Sequence, residues 1–171
     1  MARVLGPSAE LAQGVARSTE IAPGKLTLIG FVNIQDDGLV GHLLIERSSG
    51  QFEHVTFQSC DSEGAAPELM AVFFARTSKG RGRDLAVLCR WEQQHAVANG
   101  MLYGGEFYRA EDRGARTVVE PVAELNKKFK TDNLVHLSEH GKWVQGPKAK
   151  FSTVTEVKRL LTKMGLKQSP Q

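Results

Sequence analysis

Two cysteines and five histidines are the residues from which nucleophilic or metal chemistry would be built. Cys60 and Cys89 each stand inside an apolar, strand-like run. A free cysteine in such a place behaves as a small buried hydrophobe, so two core thiols are expected. The alternative is a disulfide, a feature of oxidising compartments. A reactive thiolate needs a base within reach and a cationic, partly exposed setting. His95 could serve as the base, but Arg90, next to Cys89, faces the other way on a strand. His42, His54, His95, His136 and His140 show no zinc-type spacing among themselves or with the cysteines. His136 and His140 are four apart and would converge only on a helix, whereas their segment reads as strand and turn.

The carboxylates are scattered, and Asp36 and Asp37 form a turn signal with Gly38. No phosphate-binding P-loop, nucleophile elbow or metalloprotease motif is present. Gly80, Arg81 and Gly82 precede a strand, the wrong context for a dinucleotide fingerprint. The expectation is a protein that is not an enzyme and that needs no metal or other cofactor. A small cysteine or histidine enzyme is an alternative, and it requires a pocket where converging acids meet His95, Cys60 or Cys89.

The positive signal lies in basic side chains. Arg76, Lys79, Arg81 and Arg83 fall together with no acid before Asp84. Glycines between such charges let the backbone approach a phosphate closely, and arginine grips phosphate through paired hydrogen bonds. Arg109, Arg113 and Arg116 form a second cluster, with Arg90 and Trp91 on the strand between the two. Lys127, Lys128, Lys130, Lys148 and Lys150 continue the series. Trp91, Tyr103, Phe107 and Tyr108 are the candidate platforms for base stacking, and cations combined with aromatic faces are what a single strand requires. Phe107 and Tyr108 are neighbours, so one faces a core and the other faces out.

These residues need elements to position them. Residues 1–24 read as a lead-in, with a short helix over Ala9–Arg17 that Gly14 weakens. From Lys25 short β-type runs alternate with turn residues, as in Phe52–Cys60, where Val55 and Phe57 share one face. Further runs cover Lys25–Ile34, Gly41–Arg47, Leu69–Thr77, Asp84–Trp91, Gly100–Arg109 and Ala115–Leu125. Glu92–Asn99 is expected to make a helical turn, and Pro121 should mark an edge strand. Many short strands with few helices predict an antiparallel barrel or sandwich. Asn126–Asp132 reads as a linker or short helix, followed by a hairpin around Glu139 and Gly141. The clearest helix comes last: Thr153 is its N-cap, Glu156 completes a capping box, and Gly165 ends it. Val154, Val157, Leu160, Leu161 and Met164 form its apolar stripe.

The chain has 171 residues, enough for one domain with a sizeable core. Its formal charge is +3, unevenly spread. Residues 1–75 hold 4 basic and 9 acidic side chains, residues 76–125 hold 8 and 7, and residues 126–171 hold 10 and 3. This gradient suggests an anionic partner for the C-terminal part, nucleic acid first. No run approaches the length of a membrane helix and the first residues lack a secretory apolar core, so a cytoplasmic protein without a membrane partner is expected.

Two stretches resemble single-stranded-DNA-binding proteins of the OB-fold type. Lys25–Val32 (KLTLIGFV) resembles the opening strand of that family, and Gly100–Glu120 (GMLYGGEFYRAEDRGARTVVE) is similar to its closing hairpin. Thr153–Leu166 (TVTEVKRLLTKMGL) looks like the opening helix of SAP-type nucleic-acid-binding motifs. The OB resemblance implies binding of single-stranded DNA or RNA by a strand face and the basic hairpins.

The reading is a mainly β protein in three parts: a lead-in over 1–24, an antiparallel OB-like barrel over 25–125, and a basic α/β extension over 126–171 that ends in an amphipathic helix. Its expected function is sequence-tolerant binding of nucleic acid, single-stranded in the first instance, with homo-oligomerisation possible. The alternative outside enzymology is a structural subunit of a phage, plasmid or larger complex, docking through its basic tail.

Overall fold

The computed structural model describes residues 11–12, 15–22, 24–34, 38–79, 83–94, 99–130, 133–135, 137–139, 142–144 and 149–168. In chain order these form β1 (Ala16–Ser18), β2 (Thr27–Ile34), β3 (Gly38–Ser48), β4 (Gln51–Ser59), β5 (Glu68–Ala75), β6 (Asp84–Gln94), β7 (Asn99–Asp112) and β8 (Thr117–Pro121). After them come α1 (Ala123–Lys128), β9 (Asn133–Val135), β10 (Leu137–Glu139), β11 (Lys142–Val144) and α2 (Val154–Lys163).

The strands form two antiparallel meanders. The first sheet has the order β1-β2-β3-β4 and the second β5-β6-β7-β8. β9 pairs with Met101–Tyr103 of β7, while β10 and β11 make a separate hairpin. Among the described residues no ladder joins β4 to β5 or β1 to β8. The mainly β, antiparallel expectation therefore holds, in the form of two sheets packed face to face.

Alternation along the strands explains the packing. Ile29, Phe31, Leu39, Leu43, Ile45 and Phe57 point from the first sheet into a core shared with Leu85, Val87, Cys89, Trp91 and Tyr108 of the second. The residues between them on β6, Ala86 and Leu88, point the other way and join Phe107, Leu125, Phe129, Phe151, Val157 and Leu161. β6 is thus covered on both faces, which is why Leu85–Cys89 is an unbroken buried run. The result is three layers: first sheet, second sheet, and a helical layer made by α1, α2 and the segments flanking them.

Local chemistry sets the ends of α2 where the sequence places them. The Glu156 N–H donates to Thr153 Oγ1 at 3.3 Å, and the Glu156 carboxylate accepts from the Ser152 N–H at 2.8 Å. The bond from the Ser152 N–H, with those from the Ser152 and Thr153 hydroxyls to the same carboxylate, holds the Glu156 carboxyl below the usual range. At the other end Gly165 is left-handed, with φ 82°. Leu166 N–H donates to Leu161 O and Gly165 N–H to Thr162 O, a Schellman closure.

Three local expectations are corrected. The lead-in helix over 9–17 is not formed in its described part: Ala16–Ser18 is a strand on β2, and Ala12 N–H donates to Phe31 O at 2.8 Å. The open edge of β2 offers these residues backbone partners that a short helix with a central glycine cannot match. Glu92–Gln94 does not turn helical but continues β6, paired with Asn99–Met101. Finally, Cys60 and Cys89 are joined in a disulfide, with Cα atoms 6.5 Å apart. They were expected as free thiols because nothing in their 29-residue separation reveals that β4 ends opposite β6 across the core.

Candidate nucleic-acid interface

The expected basic surface divides into two groups of cations. Arg83, Arg90, Arg109 and Arg113 are held by carboxylates. Arg90 pairs with Glu68 through two parallel hydrogen bonds of 2.7 Å, since the ladder sets Glu68 directly opposite Arg90. Arg83 pairs with Glu20. Arg109 reaches Asp84 at 3.4 Å, and Arg113 lies 3.4 Å from Glu111 and 3.5 Å from Glu120. Lys127 pairs with Glu124 at 3.1 Å, one turn apart on α1. Arg116 is exposed at the β7–β8 turn. Arg81 and Lys148 lie outside the described residues.

The proposed stacking platforms are corrected. Trp91 is 2% exposed, and its Nε1 donates to Asp61 O at 3.0 Å. Tyr108 is 5% exposed, with its hydroxyl held by Gln58 O at 2.9 Å and by the Glu106 carboxylate. Burial, with Glu106 second, pushes the Tyr108 phenol far above its usual range. Phe107 is fully buried on the opposite face of β7, and Tyr103 packs partly buried against the same helical-side core. Both faces of the second sheet are covered, so every aromatic on β6 and β7 faces a core.

The second group of cations sits on the helical layer and at the end of β5. Among the described residues Arg76, Lys79, Lys128, Lys130, Lys158, Arg159, Lys163 and Lys167 make no ion pair with a carboxylate. The fold draws them together by specific contacts. Gln168 clamps the backbone of Arg76, accepting from its N–H at 2.9 Å and donating to its carbonyl at 3.0 Å, which brings Lys167 beside the Arg76–Lys79 end of β5. The Lys158 ammonium stands 5.9 Å above the Phe73 ring of β5. Phe129 and Phe151 meet with ring centres 5.1 Å apart, so Lys128 and Lys130 are brought near Lys150. Lys158, Arg159, Lys163 and Lys167 are not among the site residues expected from the sequence. Their separation from acids is the signal that picks them out.

The layers differ in charge accordingly. Residues 149–168 carry five cations and one carboxylate, Glu156, which is engaged at the α2 N-terminus. The described part of the first sheet and its connections, 15–59, balances Arg17, Lys25 and Arg47 against Glu20, Glu46 and Glu53.

Where the two sheets open beside β4 there are two adjoining cavities of about 310 and 400 Å³. They share Asp61, Glu106, Pro121 and Asn126. One oxygen of the Glu106 carboxylate, Oε2, accepts there from Cys60 N–H at 3.0 Å, Ser59 Oγ at 3.3 Å and the Tyr108 hydroxyl. It holds Cys60 in a left-handed conformation, φ 50°, rare for a residue with a Cβ. A cysteine nucleophile is not available at this opening, because both sulfurs are in the disulfide. Among the described residues no group of three or more His, Cys, Asp or Glu side chains could hold a metal ion. No described helix is long and apolar enough to cross a membrane.

No known protein family, curated protein or solved structure matches this chain.

Proposed function

We propose that this protein binds nucleic acid without regard to sequence, through the phosphate backbone, and that the contact surface is the helical layer with the adjoining end of β5. One observation carries the reading: among the described residues, eight of the ten cations outside ion pairs collect there, Arg17 and Arg116 lying elsewhere, while Arg83, Arg90, Arg109 and Arg113 of the hairpins are held by carboxylates. A paired arginine must give up its carboxylate before it can grip a phosphate. An exposed unpaired lysine only releases counterions from the polyanion, which is favourable at low salt.

The OB resemblance enters as a likeness of strand texture. Two meanders pack on one shared core, and the proposed contact surface lies outside it, on the helices.

The test is a fluorescence-anisotropy titration with a labelled oligonucleotide across several salt concentrations. Each phosphate contact contributes a slope of about −0.9 in log K against log salt on duplex DNA. Arg159→Ala with Lys163→Ala should flatten that line by about 2, whereas Arg90→Ala should leave it unchanged. Absence of binding at low salt, or the opposite ranking of these variants, overturns the proposal. So does preferential binding to anionic lipid vesicles.

A further inference from the structure

The geometry points to double-stranded nucleic acid as the ligand of this surface, in preference to a single strand; this inference rests on the function just proposed.

Tight capture of a single strand without sequence preference combines a basic groove with aromatic faces on which successive bases stack, each stack contributing roughly 1–3 kcal/mol. Among the described residues, the rings close to these cations pack against the core or lie under a cation, Tyr103 being partly buried on the helical side. Phe107, Phe129 and Phe151 are between 0% and 2% exposed and pack on one another beneath the helices. Trp91 and Tyr108 are buried between the sheets. Phe73 is half-buried and lies under the Lys158 ammonium. Phe52, 44% exposed, belongs to the first sheet, on the far side of the second sheet from the helices.

What the surface does offer suits a dense array of phosphates. Six of its eight unpaired cations are lysines, which bind phosphate as point charges and do not read base edges in the paired manner of arginine. Arg159 and Lys163 are one helical turn apart, about 6 Å along α2. The cations also come from α1, α2, their flanking residues and the end of β5 rather than from one element. Duplex DNA carries one charge per about 1.7 Å of its length, twice the axial density of one strand, and returns more counterions per contact. With the described rings so occupied, charge density ranks the ligands.

The experiment uses the whole protein and three probes of equal length: a mixed-sequence duplex, one of its strands, and oligo-dT. Anisotropy is followed near 50 mM salt and again at higher salt. The duplex should bind about tenfold tighter than either single strand and show the steeper salt dependence, with the two single strands indistinguishable. Single strands binding as tightly as the duplex, or oligo-dT binding tightest, overturns this inference and leaves nucleic-acid binding standing. No binding to any probe removes both.

Discussion

His42 Nδ1 and His54 Nε2 lie 2.9 Å apart with their ring planes within 10° of parallel. The ring centres are 5.2 Å apart, which is the N···N distance plus one ring radius at either end. The two nitrogens therefore lie on the line between the centres. The imidazoles are coplanar and share one proton end to end; they are not stacked face to face. They stand on the side of the first sheet away from the core, since Leu43 between β2 and β4 points inward.

A shared proton makes this pair sensitive to acid. Burial, and secondarily the charge of His54, lowers the His42 pKa from its ordinary 6.5. The unfolded chain then takes up a proton at a pH where the folded one does not. Stability from this site is complete above about pH 6.5 and declines as the pH falls from there to the lower folded value. Urea midpoints measured between pH 8 and 5 should fall on acidification, and His42→Gln should flatten that fall. An equally steep fall in the variant would assign the effect elsewhere.

The Cys60–Cys89 bond ties the end of β4 to β6 across the core. Closing a loop of 29 residues restricts the unfolded chain by about 3–4 kcal/mol. The double substitution Cys60→Ser, Cys89→Ser should lower the denaturant-derived stability by about that amount without abolishing the sheet signature in circular dichroism. Such bonds persist in oxidising compartments, which sets the disulfide against the cytoplasmic expectation. Alkylation of thiols at the moment of cell lysis, followed by intact mass, should return an unmodified pair; two alkyl groups would restore the cytoplasmic reading.

Gly41 on β3 is faced by the ring of Phe57 on β4, which occupies the space a Cβ would need. Phe57 also packs edge-on to Phe31 and against Tyr108, so moving it disturbs both contacts. Gly41→Ala should destabilise the fold by about 1–3 kcal/mol through overpacking. Combining it with Phe57→Leu should cost less than the two losses added together, as read from denaturant titrations of the four proteins in the cycle.

Arg47 binds the two sheets at the end where the β3–β4 and β7–β8 turns lie. It donates to Glu53, to Asp112 at 2.7 Å and to Thr117 Oγ1 at 2.9 Å, while Glu53 accepts the Thr117 N–H at 2.8 Å. The hydrogen bond from Arg47, with that from Lys25 second, holds the Asp112 carboxyl at about 2. A depressed carboxyl adds stability that is present above its ordinary 3.8 and is lost as the pH falls to about 2. Arg47→Met should destabilise the protein at neutral pH and weaken this acid limb, both visible in thermal melts at pH 7, 4 and 2.5.

Much of the architecture was legible because it is written locally. The alternation in Phe52–Cys60 marks β4, and Thr153, Glu156 and Gly165 bracket α2 almost to the residue. Pro121 ends edge strand β8, as a residue without an N–H should. Less legible was the arginine set. Arg90 is neutral in effect because register puts Glu68 across from it, and register is absent from any one segment. Trp91 and Tyr108 had the right residue type for stacking, but a face of a sheet is inner or outer only once a second layer covers it.

By itself the sequence determined that the chain forms short antiparallel strands and a capped basic helix, and that positive charge gathers toward its C-terminus. Those properties depend on neighbours within a few residues. Only the tertiary structure decided that two meanders pack as separate layers, that Cys60 reaches Cys89, and which cations stay unpaired. Each of those outcomes joins residues tens of positions apart, through strand register and layer order that no local pattern encodes.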